Sequence, residues 1–447
     1  MLVLSPRFEA LPAKVRYAMM WIFVYEGILL GAWAGAIPQI KTDRQIDNGV
    51  LGRILTAAIV GAILAVPVAA KATDLYGANV TLLSGCIAAV LFTPILGIPP
   101  YHQQHVFVFA VVLLGFVLGI LDIAANFHVT LIEKKNRDKY MGFFYSVYSA
   151  GCLLGALCSG VLQQLRLSVL QIFLATSLAC ILPCLYAYPG LYTLREQQDI
   201  LQTFPDAVHS EDGPMDLMGL GYTRYHGLEL DESVHKTATD YSHSPLPLPT
   251  PTLQSPSAPV RKDYPLLGAL MCIGFLAFLC EGSISDWSGI YLRSISNASP
   301  SGSTGGYILY QFIVMVSRYQ SDRLASLGVK TLLVVCAVVS CLGFLIIASA
   351  CLFSRAASYY VALLGFAVVG AGLGAVAPIV VAAASKIEGM KSSDTVALLS
   401  AVSYTGILVG PPLLGYISVI CRGLEYSLVV EGALVALIVP LAYVFIK

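Results

Sequence analysis

Long apolar runs separated by short polar turns organise this chain. A helix that crosses a bilayer needs about 20 mostly apolar residues. Twelve runs answer to that description. Six come first, at 16–38, 50–70, 79–99, 106–131, 140–164 and 167–191, and six follow, at 265–292, 304–320, 329–353, 357–385, 395–420 and 424–446. The eighth is the weakest, being short and preceded by the Ser/Gly stretch 299–306. The runs lack the two-residue alternation of a membrane β-barrel, so that architecture is excluded. The pattern predicts an all-α membrane protein: twelve transmembrane helices in two six-helix bundles.

Between the two groups lies a polar stretch, 193–263, with eleven Asp/Glu and five Lys/Arg. Its end, HSPLPLPTPTLQSPSAP (243–259), has too little apolar content and too many prolines to build a core. The expected division is 1–192 as an N-terminal six-helix bundle, 193–263 as a cytoplasmic, largely disordered linker, and 264–447 as a C-terminal bundle. Placing both termini in the cytoplasm gives fourteen basic residues to the short inside segments and seven to the outside ones. That distribution follows the positive-inside rule. Asn297-Ala-Ser299 then becomes an outside glycosylation sequon, and Ser244, Thr250 and Ser255, each before a proline, become phosphorylatable linker positions.

Composition adds the solvent. Hydrophobic residues make up 57% of 447 and charged residues only 12%, where soluble domains carry roughly 25%. The first fourteen residues hold no cleavable signal pattern, so the first run is expected to stay in the membrane. No organelle signal stands out, which leaves the plasma membrane and an internal membrane both open. The eleven cysteines lie in or beside apolar runs with no disulfide or zinc spacing, and Cys180 and Cys184 are one helical turn apart. They are expected to be packing residues. There is no GK[ST] phosphate loop, HExxH, CxxC or nucleophile elbow. No metal, cofactor, nucleic-acid partner or enzymatic activity is expected.

The two groups of runs repeat one another. Glu26-Gly27 with Trp33-Ala-Gly35 recurs as Glu281-Gly282 with Trp287-Ser-Gly289. LLGF at 113–116 recurs at 363–366, and Gly151 and Gly155 recur as Gly406 and Gly410. Asp74, with Gly77 after it, has a counterpart in Asp322-Arg323. All offsets fall between 248 and 255. A duplicated six-helix unit forms a cleft at its interface near mid-bilayer, and rocking of the halves exposes that cleft to alternate sides.

This arrangement resembles the major facilitator superfamily over all twelve runs. GAWAGAIPQIK (31–41), LGILDIAANFHVTLIEKK (118–135), EGSISDWSGIYLR (281–293), SRYQSDRLASLG (317–328) and GPPLLG (410–415) resemble its bacterial branch typified by the inner-membrane protein YbjJ. The resemblance implies a charge latch at the cytoplasmic gate made of Asp74, Gly77, Arg318, Asp322 and Arg323. Departures are visible. AKATDLYGAN (70–79) lacks the family's basic residues after the second run, so the latch should lean on the eighth. Gly155-Ala156 stands where many drug/proton antiporters have Gly-Pro, and the central loop is longer than the compact bacterial pattern, as in a eukaryotic relative.

Carboxylates inside a bilayer cost at least a few kcal/mol if charged and unpaired, so each is a functional candidate by default. Desolvation raises a carboxyl pKa, which brings such a group into the range of proton coupling. Glu26, Asp122 and Glu281 qualify, and Asp122 shares a helical stripe with Gly115, Gly119 and Asn126. The competing reading for Asp122 is a hydrogen bond to a neighbouring helix, and for Glu26 a buried pair. Trp33 and Trp287 fit either stacking on a solute or an interfacial aromatic belt. His128, Tyr145, Tyr148 and Tyr404 read first as packing residues, with cavity roles second. Pro378, Pro411 and Pro412 are expected to bend helices. The function expected is secondary active transport of a small solute, a sugar, organic acid or similar metabolite, by alternating access with proton coupling. The protein is expected to be a monomer in the lipid bilayer. The rival reading is a transporter-like receptor or regulator acting through the central loop.

Overall fold

The computed structural model describes residues 11–98, 104–136, 140–203, 263–324, 327–387, 390 and 392–446, leaving aside the side chains of Cys180, Asp322, Arg323, Ser392, Ser393, Asp394 and Ala397. Among the described residues there is no strand. The first half holds α1 (Ala13–Asp43), α2 (Asn48–Tyr76), α3 (Ala78–Phe92), α4 (Gln104–Asn136), α5 (Met141–Gln164) and α6 (Val169–Ala187). A short helix, α7 (Leu194–Thr203), follows. The second half holds α8 (Tyr264–Ser296), α9 (Gly305–Leu324), α10 (Val329–Ser349), α11 (Arg355–Ala384), α12 (Ser392–Ile420), and the pair α13 (Leu424–Ala436) and α14 (Ile438–Phe445).

Eleven of these segments are long and apolar enough to cross a membrane. The twelfth is α9, whose apolar character is diluted by Gln311, Arg318, Gln320, Asp322 and Arg323. The last expected span is divided at Leu437 between α13 and α14.

Local chemistry sets the helix ends. Asp47 caps α2 by accepting the Val50 N–H at 2.7 Å. Ser168 and Gln171 form a capping box on α6. Asp263 accepts the Leu266 N–H at 3.2 Å beside a proline in the first turn of α8. Gly77, at φ +91, ends α2 and starts α3, a conformation that L side chains rarely adopt.

The duplication is visible in the packing. α1 lies on α5 as α8 lies on α12, and α2 lies on α4 as α9 lies on α11. The halves meet through α2 with α12, its symmetry mate α5 with α9, and α1 with α8. This explains half of the repeated Glu-Gly pair. A Cβ on Gly27 would strike the Tyr148 carbonyl oxygen of α5, and one on Gly282 would strike the Ile407 carbonyl oxygen of α12. The glycines let the backbones touch, and the glutamates beside them are free for other work.

The first residues of the expected linker form the helix α7, Leu194–Thr203. Gln197 of α7 is buried, accepts the Ala78 N–H at 3.0 Å and donates to the Thr73 carbonyl at 3.2 Å. It therefore staples the end of α2 to the start of α3. Glu196 accepts the Thr193 backbone N–H and hydroxyl at 2.8 and 2.9 Å. Those hydrogen bonds, the backbone one first, hold its carboxyl below the usual glutamate range. The cap is thus intact at neutral pH and loosens as pH falls through that depressed value. The remainder of the expected linker, 204–262, lies outside the described residues. Gln197→Ala strands the buried Ala78 N–H, leaves the Thr73 carbonyl with only its bond from the Gly77 N–H, and should cost about 1–3 kcal/mol. A lowered melting midpoint of the purified protein checks this.

Candidate functional site

Two polar clusters join the halves within the long apolar helices. In the first, Asp122 and Asn126 of α4, Tyr145 of α5 and Tyr404 of α12 form one network. The Tyr404 hydroxyl donates to Asp122 Oδ1 at 2.9 Å, and Asn126 Nδ2 donates to the same oxygen at 2.9 Å. The hydroxyls of Tyr145 and Tyr404 are 2.9 Å apart, and Tyr145 also reaches Asn126 Oδ1 at 3.3 Å. Because Tyr404 spends its proton on Asp122, the Tyr145 proton is the one shared between Tyr404 and Asn126. Glu26 of α1 is buried, and its Oε2 is sealed without a hydrogen-bond partner. Neither carboxyl is paired with a cation among the described residues.

The second cluster centres on Arg318 of α9. Its Nη2 donates to both Glu281 oxygens, at 2.9 and 3.0 Å, and its Nη1 donates to Ser149 Oγ of α5 at 2.6 Å. The two charged side chains are only 9% and 13% exposed. Arg318 thus fastens the C-terminal half's own glutamate and the N-terminal half together. The sequence grouped Arg318 with Asp322 and Arg323 at the cytoplasmic end; the structure places its guanidinium with Glu281 and Ser149 instead. The physical reason is burial: a charge this far from water needs a partner of opposite sign. The side chains of Asp322 and Arg323 lie outside the described residues. Asp74 is exposed, and Gly77 serves the α2–α3 turn.

Further along α1 and α8 the halves are sealed. Trp33 Nε1 donates to Asp286 Oδ1 at 3.1 Å, and Arg293 donates to the Pro38 carbonyl at 2.7 Å and to Thr42 Oγ1 at 3.0 Å. Gly52 of α2 and Gly415 of α12 approach so closely that a Cβ on Gly415 would lie 2.7 Å from the Gly52 Cα. Beside this seal an open cavity of about 530 Å³ is lined by Lys41, Asp47, Arg53 and Arg422. Trp287 is buried, and its Nε1 donates to the Pro411 carbonyl at 2.9 Å. Both tryptophans are therefore tied to protein atoms. His128 accepts the Tyr192 N–H at 3.2 Å and stacks on that tyrosine's ring, away from both clusters.

Sequence reading missed Glu431 of α13, Ser149, and the partnership of Trp33 with Asp286. A search for every acid inside an apolar run would have found Glu431. The other pairings join residues far apart in the chain and leave no local signal.

The Major Facilitator Superfamily model matches residues 20–386. An uncharacterized MFS-type transporter of Yersinia pestis is 26% identical over 397 residues, which covers 89% of this chain and 87% of that protein. The membrane protein MosC of Rhizobium meliloti is 23% identical over 403 residues, covering 90% and 83%. An uncharacterized transporter of Sinorhizobium fredii is 22% identical over 400 residues, covering 89% of each. The crystal structure of a mutant of the nucleoside transporter NupG superposes with a TM-score of 0.68 over 97% of this chain and 100% of that one, at 10% identity. Duplicated halves, a polar interface between apolar helices and a family match over most of the length agree: this chain is an integral multi-pass membrane protein that belongs to the Major Facilitator Superfamily of transporters.

Proposed function

We propose that the protein moves a small polar metabolite, such as a sugar or organic acid, by alternating access driven by protons, with Asp122 and Glu26 as the proton site. The observation that supports this most strongly is the Tyr404–Asp122 hydrogen bond across the two halves. Ionised Asp122 is a strong acceptor, and hydrogen bonds to charged groups contribute about 1.5–3 kcal/mol. Protonation weakens that acceptor and with it a contact that holds the halves in this arrangement. Proton binding and rearrangement are then linked, and linkage is reciprocal. Glu26, a second buried acid with no cation partner among the described residues, is the other carboxyl of this proposed site. Arg318 and Glu281 are the polar anchor on the opposite wall, where a solute's hydroxyl or carboxylate groups would compete for the guanidinium. With both termini cytoplasmic, the Trp33–Asp286 seal is the closed outer gate.

In proteoliposomes, Asp122→Asn should lower pH-gradient-driven accumulation by roughly 5- to 150-fold, the span of typical coupling energies. Solute exchange without a gradient should survive. Equal losses of both activities would sink the proton role and leave Asp122 as a structural hydrogen-bond acceptor.

A regulator acting through the central loop draws support from the Gln197 staple, which ties the linker's first helix to the α2–α3 turn. Deleting residues 206–258 separates the readings: a transporter keeps its uptake, whereas a loop-driven regulator loses its output.

A further inference from the structure

Glu431 belongs to neither cluster. It lies in α13, inside the last membrane span, 1% exposed. Both carboxylate oxygens are sealed from solvent with no hydrogen-bond partner. Ser283 of α8 is near enough to interact, yet its Oγ is sealed and unpartnered too. Tyr310 of α9 is buried, and its hydroxyl is likewise sealed without a partner.

α8, α10, α12 and α14 pack on α13. α8 contributes Ser283 and the Cys280 thiol, 4.0 Å from the Glu431 carbonyl oxygen. α10 contributes the Cys341 thiol, 3.2 Å from the Gly432 carbonyl oxygen. On α12, Tyr404 is engaged with Asp122 and Tyr416 is exposed. Tyr443 of α14 is exposed. None of these is a cation. An ionised carboxylate at this depth would cost at least a few kcal/mol without a partner.

We infer that Glu431 is a second proton-binding site, built into the C-terminal half and served by the hydroxyl of Ser283. It goes beyond the central-site reading and does not require it. Its ligand is the hydrogen ion. Loading forms one O–H bond on a Glu431 oxygen and breaks one on the donating hydroxyl. That hydroxyl regains a proton from hydronium arriving on the Glu281–Arg318 side, whose own O–H bond breaks to leave water, and no electrons change hands. Ser283 lies two residues beyond Glu281 on the same helix, so rocking of α8 alters both ends of this route together.

The test is infrared titration of the purified full-length protein from roughly pH 5 to roughly pH 9, the range that buried carboxyls cover. The expected result is a carboxylic-acid carbonyl band that fades as pH rises in the wild type and is missing in Glu431→Gln, with total proton release lowered by one per chain. Ser283→Ala should shift that band in frequency, a second readout should Glu431→Gln not fold. The inference is overturned if the Glu431 band persists unchanged across the range, which marks a fixed structural acid. It is also overturned if Glu431→Gln removes no band, or Ser283→Ala leaves the band in place. Asp122→Asn and Glu26→Gln remove bands of their own, so failure of the central site would be read separately.

Discussion

Arg318→Gln is expected to give a protein that melts far below the wild type and transports at a small fraction of its rate. One guanidinium nitrogen, Nη2, spans both Glu281 oxygens, and the other arm of the fork, Nη1, holds Ser149 of the other half. Removing it leaves Glu281 buried and unpaired, and breaking a buried pair in this way costs about 3–5 kcal/mol. Replacing both partners strands no charge. Arg318→Gln with Glu281→Gln should therefore recover most of the lost stability, though not the transport. Arg318→Lys should recover little, because an ammonium cannot reproduce the fork. Melting midpoints of the two single variants and the double variant settle it. If the single losses simply add in the double, within about 0.5 kcal/mol, the pair is not coupled.

Gly31→Val is expected to abolish folded protein or nearly so. A Cβ at Gly31 would strike the Cys152 carbonyl oxygen, and Gly27, Gly151 and Gly155 are in the same position along the α1–α5 seam. Backbone cannot swing aside as a side chain can. Overpacking in a close-packed core costs about 1–3 kcal/mol and sometimes more, and this seam should sit at the top of that range. Gly410→Val should behave alike, because its Cβ would meet the Leu279 carbonyl oxygen in the matching α8–α12 seam. Gly142→Val and Gly268→Val are the controls, since a Cβ at either meets nothing within 4 Å. Size-exclusion profiles of the detergent-extracted variants read the outcome: monodisperse Gly31→Val would contradict the seam.

Much of this fold is written in the chain because a bilayer leaves backbone groups little choice but to pair within helices. Apolar runs of spanning length therefore become helices, and their repetition becomes pseudo-symmetry. The glycines at 151, 155, 406 and 410 were legible for the same reason: their spacing repeats, and the structure turns each repeat into a helix seam. The repeat method also explains what it overlooked. The position 255 residues before Glu431 is Thr176, so the acid in α13 has no partner in the first half to reveal it. Arg318 was assigned by its neighbours in sequence, whereas its place is set by Glu281 and Ser149, 37 and 169 positions away. The tryptophans were read by depth and chemistry, and what binds their indole nitrogens depends on a cross-half approach to Asp286 and on the Pro411 carbonyl of α12. α7 was hidden because its few apolar positions are too sparse to register until Gln197 and Ile200 find the α2–α3 turn.

The central claim is that solute movement and proton movement are one process through Asp122 and Glu26. The most direct measurement is solute-induced proton flux in sealed proteoliposomes loaded with a pH-sensitive dye and challenged with a panel of sugars, organic acids and nucleosides. The account predicts that at least one solute drives proton flux in the wild type, and that Asp122→Asn abolishes this flux while still exchanging the same solute. Uptake of a solute with no accompanying proton flux, equal in wild type and Asp122→Asn, would contradict it.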